Sequence, residues 1–167
     1  MAIDEQFDWL EPDELRVFRA FSRAWQSVSA QLDADMERDA DLPRTYFDIL
    51  WRLRRAPDRA LRMNQLAEIT NSKLSRVTHA VGRLETAGLV RREVPEGDRR
   101  GWLAVLTDAG VKRVEQAAPV YARSVRKHVL GPLDSAAQGQ LTVIGEKLVG
   151  HVGAQMSLRS GDEEQSL

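Results

Sequence analysis

Ser75, Arg76 and His79 lie within five residues of one another, with Ser72 and Lys73 just before them. At helical spacing the first three share one face. A short hydroxyl, a guanidinium and an imidazole on one face are the donors and acceptors that suit base edges and phosphate oxygens. Ser72 and Lys73 stand at the start of the stretch, where the N–H groups of a first helical turn can hold a phosphate. Farther on, Asp98, Arg99 and Arg100 fall in a segment, 95–101, that also contains Pro95, Gly97 and Gly101. Guanidinium groups on a projecting tip suit the narrow minor groove, whose potential is strongly negative. The Asp98 carboxylate matches the guanidinium fork and can hold an arginine in pose. The competing account of every one of these side chains is a solvated surface, and agreement of residue type with position favours polyanion contact.

Catalytic chemistry has no comparable support. The sequence contains no phosphate-cradling glycine loop, no Gly-x-Ser-x-Gly, no His-Glu-x-x-His and no paired carboxylates beside an evident cleft, so an enzyme is not expected. His128 and His151 lack neighbours at metal-ligand spacing and read as surface or packing residues, so neither a metal nor a cofactor is expected. The absence of cysteine excludes disulfides, Cys-ligated zinc and thiol sensing.

The elements that must position these groups can be read from periodicity. Residues 12–36 carry Leu15, Phe18, Phe21, Trp25, Val28 and Leu32 at steps of three and four, the stripe of a long helix whose first turn suits Pro12, Asp13 and Glu14. A second helix opens at Pro43, carries Tyr46, Phe47, Leu50 and Leu53, and stops at Ala56-Pro57. A short helix over 63–69 has Leu66 and Ile69 as anchors, and Thr70-Asn71-Ser72 supplies turn and capping chemistry. The next helix, 74–87, turns Leu74, Val77, Val81 and Leu84 inward and Ser75, Arg76, His79 and Arg83 outward, and ends at Gly88. Two short β-type segments, 89–94 and 102–106, flank the 95–101 tip as a hairpin. Thr107 caps a helix with Val111, Val114, Ala118, Tyr121, Val125 and Val129 on one side and a kink at Pro119. After Gly131-Pro132, Asp134 or Ser135 caps a last helix with Leu141, Ile144, Leu148 and Val152, and residues 156–167 read as a disordered acidic tail.

A chain of 167 residues with 43% hydrophobic and 29% charged residues has material for one ordinary domain and rules out two large ones. Its net charge of −1 conceals a polar division. Residues 1–42 hold 4 Arg against 11 Asp and Glu, whereas residues 43–113 hold 15 Lys and Arg against 8 acids. A basic middle is the footprint of a polyanion partner. No segment resembles a signal peptide or a membrane span, so a cytoplasmic protein without membrane contact is expected.

A short helix, a turn, an amphipathic helix and a hairpin form a winged helix-turn-helix. Leu66-Ala67-Glu68, then 74–79, 83–93, 98–101 and 106–110, in that order, resemble the MarR family of bacterial transcriptional regulators. The resemblance spans residues 12–150, with its motifs within 66–110. It implies a mainly α fold with a small β-hairpin wing, and a homodimer whose N- and C-terminal helices interlock. Each subunit would place one winged helix-turn-helix on a pseudo-palindromic operator in double-stranded DNA. The family's wing signature, Asp, one residue, then Arg, falls on Asp98 and Arg100. His79 stands where the family commonly has arginine. The DNA-contacting set is therefore Ser72, Lys73, Ser75, Arg76, Thr78, His79, Asp98, Arg99 and Arg100.

Independently of that resemblance, the wide apolar stripes of the first and last helices exceed what the small winged unit can cover, and a second copy is the economical cover. The expected division is 1–42 for N-terminal dimerisation, 43–110 for DNA binding, 111–155 for C-terminal dimerisation and 156–167 for the tail. Trp25, Tyr46 and Trp51 have two readings: the lining of a pocket for the small aromatic effectors the family commonly binds, or ordinary packing, which is the simpler. The function expected is a DNA-binding regulator, a repressor released by an effector, and the alternative is a winged-helix protein–protein adaptor.

Overall fold

The computed structural model describes residues 9–94 and 101–164, with side chains as far as Val152. Two units are distinguished, Met1–Val125 and Arg126–Leu167.

The first unit opens with α1 (Pro12–Ala40), where Pro12 occupies the first helical turn and Glu14 reaches back to the Glu11 N–H at 2.9 Å. The helix runs past 36 to Ala40 and ends on Asp41 in the left-handed region, φ 47°. Of its apolar stripe only Leu32 is buried, and Met36 continues the buried face. Phe18, Phe21 and Trp25 are 57, 56 and 59% exposed, so the upper stripe stays more than half open. The inner end packs on α5 (Asp108–Val125). There the buried Asp35 carboxylate accepts from the Ser124 hydroxyl at 2.7 Å and from Arg38 at 2.6 Å. Arg113 donates to the carbonyls of Ala40 and Asp41 at 2.6 and 2.7 Å, capping the end of α1.

Helix α2 (Arg44–Arg55) begins after Pro43 and stops at Ala56, as its flanking prolines require. Arg44 at its first turn reaches Asp33 at 2.6 Å and Ser29 at 2.8 Å on α1. A single 3-10 turn, Pro57–Arg59, leads into β1 (Ala60–Arg62), a strand the sequence pattern does not reveal. β1 pairs with β3 (Leu103–Leu106), and β3 with β2 (Val90–Glu93), so the expected hairpin is the larger part of a three-stranded antiparallel sheet of order β1-β3-β2.

Between β1 and β2 lie α3 (Met63–Ile69) and α4 (Leu74–Thr86). Both end in the same six-residue closure. Asn71 (φ 47°) follows α3 and Gly88 (φ 71°) follows α4, with Ser72 N–H bonded to Ala67 O and Leu89 N–H to Leu84 O, each at 2.9 Å. The core gathers Met36, Phe47, Leu50, Leu53, Leu66, Val77, Val81, Leu84, Leu106 and Val114 from all layers of this unit. Two expected anchors are not in it: Ile69 is 39% and Leu74 46% exposed. Leu74 is the first residue of α4, and the inward face farther along includes Ala80 beside Val77, Val81 and Leu84.

Thr107 caps α5 as its residue type predicts, accepting the Gly110 N–H at 3.0 Å. The buried face of α5 is Gly110, Val114, Ala117, Val120 and Ser124, shifted from the expected one, because small side chains let the helix lie close to its neighbours. Helix α5 continues through Pro119 to Val125.

In the second unit a π-helical turn, Arg126–Leu130, is followed by Gly131-Pro132 and then α6 (Ser135–Glu164). Asp134 is the cap, accepting the Ala137 N–H at 2.8 Å. Leu141, Ile144, Leu148 and Val152 are all exposed. Helix α6 continues to Glu164 through residues placed in a disordered tail by their charge. Ala154, Gln155, Met156 and Leu158 are good helix formers, and local propensity carries the helix on. Residues 165–167 lie outside the described residues. Among the described residues no helix is long and apolar enough to cross a membrane.

Candidate nucleic-acid interface

The inward face of α4, Val77, Ala80, Val81 and Leu84, is buried almost completely. That fixes the rotation of the helix and turns Ser75, Arg76, Thr78, His79, Arg83 and Thr86 outward, all exposed. The structure therefore brings four expected contact residues, Ser75, Arg76, Thr78 and His79, onto one rigid, solvent-facing helix.

Their local chemistry differs. The Thr78 hydroxyl donates to Leu74 O at 2.8 Å, which leaves its methyl and its lone pairs for a partner. Lys73 is the residue preceding the first turn of α4, and no side chain caps that turn. Ser72 was expected to supply capping chemistry, but its hydroxyl donates to Thr70 O at 3.2 Å and the side chain is half-buried. It braces the turn, while Lys73 and the uncapped positive end of α4 face outward. Lys73, Arg76 and Arg83 form no ion pair with a described residue. Other arginines of the unit are committed: Arg54 to Glu115, Arg59 to Asp108 and Arg91 to Glu93.

Asp98, Arg99 and Arg100 lie outside the described residues. The strands leading to them are described, and β2 is tied to α4. Arg92 on β2 donates to Glu85 of α4 from its guanidinium at 2.6 Å and from its backbone N–H at 3.2 Å. Arg92 also lies 5.9 Å from the centre of the Trp102 ring at the foot of β3. The bond to Arg92 holds the Glu85 carboxyl below its ordinary range. Sequence reading missed this tie. The only available signal was an acid in the last turn of one element and a base in the next, a pairing that spacing cannot select.

Beside α4 a cleft of about 1110 Å³ opens against α2, with Tyr46, Trp51, Arg52 and Arg55 on one side and Arg76 and His79 on the other. Phe47 stacks on Trp51 at 5.9 Å and packs against Tyr121 at 4.9 Å, which makes an aromatic wall. Arg55 lies over the Trp51 ring. Tyr46 and Trp51 thus meet in one cleft, as the pocket reading requires. Trp25 does not: it is on the exposed stripe of α1, outside the lining. Among the described residues no group of three or more His, Asp or Glu is placed to hold a metal ion.

Residues 40–101 match a family model described as MarR family. A MarR family transcriptional regulator from Streptomyces coelicolor, solved in complex with DNA, is similar at 36% identity with a TM-score of 0.81, over 86% of this chain and 94% of that one. AbsC, another MarR family regulator of that organism, is similar at 30% identity and a TM-score of 0.79, over 90% and 99%. A Bacillus subtilis protein described as an uncharacterized HTH-type transcriptional regulator, YkoM, is 28% identical over 134 residues, 80% of this chain and 84% of the relative.

Proposed function

The chain belongs to the MarR family of transcriptional regulators, and from that premise we propose that it is a homodimeric repressor that binds a pseudo-palindromic site in double-stranded DNA and leaves it when a small aromatic effector binds. One observation carries the DNA reading: a helix locked by a fully buried face presents Ser75, Arg76, Thr78 and His79 outward together, with unpaired cationic groups at its start and along its flank. The similarity to a regulator solved on DNA supports it. In this reading Ser75, Arg76, Thr78 and His79 face base edges, Lys73 takes a phosphate, and Ser72 supports the turn. Asp98, Arg99 and Arg100 carry the wing contact, with Arg100 in the minor groove.

The exposed aromatic stripe of α1 and the exposed apolar side chains of α6 support self-association, with residues 1–42 and 111–155 contributing the subunit contacts and residues 43–110 the DNA-binding part. Two copies would set their recognition helices about one helical turn, ~34 Å, apart. The cleft between α2 and α4 supports the effector, since its aromatic wall and arginines suit a small aromatic ligand and it borders the DNA-facing side chains. A ligand that favours the DNA-incompetent arrangement by ~1–3 kcal/mol lowers operator affinity by about 5- to 150-fold.

Sequencing the genomic fragments that the purified protein retains tests this function. A repressor gives a short site with two-fold symmetry and affinity that falls steeply with salt. A protein–protein adaptor retains no fragment at any salt concentration.

A further inference from the structure

Gly82 stands at the centre of the outward face of α4. By the helical repeat, Ser75, His79, Gly82 and Thr86 fall opposite Val77, Ala80, Val81 and Leu84. A glycine inside a helix lowers its stability relative to alanine, so its presence there asks for a reason. Neither of the two usual reasons applies. Its backbone is not in the left-handed region, unlike Gly88. A Cβ built on Gly82 meets nothing within 4 Å, whereas one built on Gly110 collides with the Leu89 carbonyl. The surface around it is also kept low, because the Thr86 hydroxyl turns back onto the Gly82 carbonyl at 3.0 Å.

Gly139, Gly145 and Gly150 of α6 are equally open, and what sets Gly82 apart is its place on the face that the proposed function turns toward DNA. We propose that the gap at Gly82 admits the floor of the DNA major groove: the backbone of α4 lies against the base edges there, and Gly82 sets how deeply the helix seats. Ser75 and His79, two turns and one turn earlier on the same face, then reach the bases only at that depth. This rests on the reading of α4 as the DNA-facing helix. It adds a determinant that makes no hydrogen bond through a side chain and that charge or polarity cannot reveal.

The test uses the full chain and the duplex that the wild-type protein selects. Gly82→Ala should raise the melting temperature, since alanine favours the helix, and weaken binding by about tenfold or more. Gly82→Leu should weaken it further. The slope of affinity against salt should stay as in the wild type, because no phosphate contact is removed. If both variants bind as tightly as the wild type while Arg76→Ala weakens binding, this proposal is overturned and the DNA reading stands. If the wild-type protein selects no duplex, the DNA reading fails and takes this one with it.

Discussion

Glu85 holds Arg92 at two points, accepting its backbone N–H at 3.2 Å and its guanidinium at 2.6 Å. The pair joins the last turn of α4 to β2. Trp102, against the same guanidinium, extends the tie to the third strand. The strands flanking the wing are thereby fixed to α4, and in the proposed function this holds the wing and the helix in register for two adjacent grooves.

Glu85→Gln loosens that tie while keeping the shape of the side chain. Both partners are about one-third exposed, so the melting temperature should change little and DNA affinity should fall. The pH dependence has a definite sign. Arg92 lowers the Glu85 carboxyl in the folded protein, so the stabilisation is present above the ordinary carboxylate range and is lost as the pH falls through the lowered value. The small difference in melting temperature between the protein and the variant should be full at pH 7 and vanish in strong acid. A difference that grows on acidification contradicts this.

Arg76→Ala should cost ~1–3 kcal/mol of binding and relax specificity at one base position, as expected of a base-reading side chain. Arg100→Ala should instead weaken binding to all duplexes alike and reduce the salt slope by about one unit. Titrations of a labelled operator at several salt concentrations distinguish the two. Unchanged affinity in either variant removes that residue from the interface.

The helices, the outward face of α4 and the closures at Gly88 and Thr107 were legible because each depends on residue type at a fixed local offset. Strand β1 was not, since Ala60–Arg62 shows no alternation and is a strand only because β3 lies beside it. Periodicity also states that a face is apolar without saying what covers it. Leu32 is buried, whereas Phe21 and Trp25 on the same stripe are more than half exposed. The cleft was half legible for the same reason: Tyr46 and Trp51, both on α2, line it, while Trp25 on α1 does not.

Phe21→Asp tests self-association. Phe18, Phe21 and Trp25 are each more than half exposed, and burying an aromatic of this size against a second copy contributes roughly 1.5–3 kcal/mol. A carboxylate in the middle of that stripe should shift the protein to monomers in light scattering and abolish tight binding to a two-fold site. The fold of the single subunit should survive, because the side chain makes no core contact. Unaltered mass in the variant rules out this stripe as the dimer contact.

Ser124→Ala removes a hydrogen bond to the buried Asp35 carboxylate, made at 2.7 Å between α5 and α1. A lost bond to a buried charged group costs about 1–3 kcal/mol. Urea unfolding should show a lower midpoint with an unchanged slope. Arg38 still reaches Asp35, so the fold is retained.

Gly110→Ala should destabilise strongly, by the collision opposite in kind to the open space at Gly82. The first turn of α5 is drawn against the end of α4. Thr107 donates its hydroxyl to Gly88 O at 2.7 Å and its N–H to Leu89 O at 3.1 Å, and it accepts the Gly110 N–H at 3.0 Å. A Cβ at Gly110 enters the space of the Leu89 carbonyl, a backbone atom that cannot move without breaking this closure. Overpacking of this kind costs about 1–3 kcal/mol or more. The loss should appear as a lower melting temperature and, because the closure also ends the recognition helix, as faster amide exchange at Leu89 and Thr107. A variant that melts with the wild type shows that the closure yields, and with it the account of how α5 braces α4.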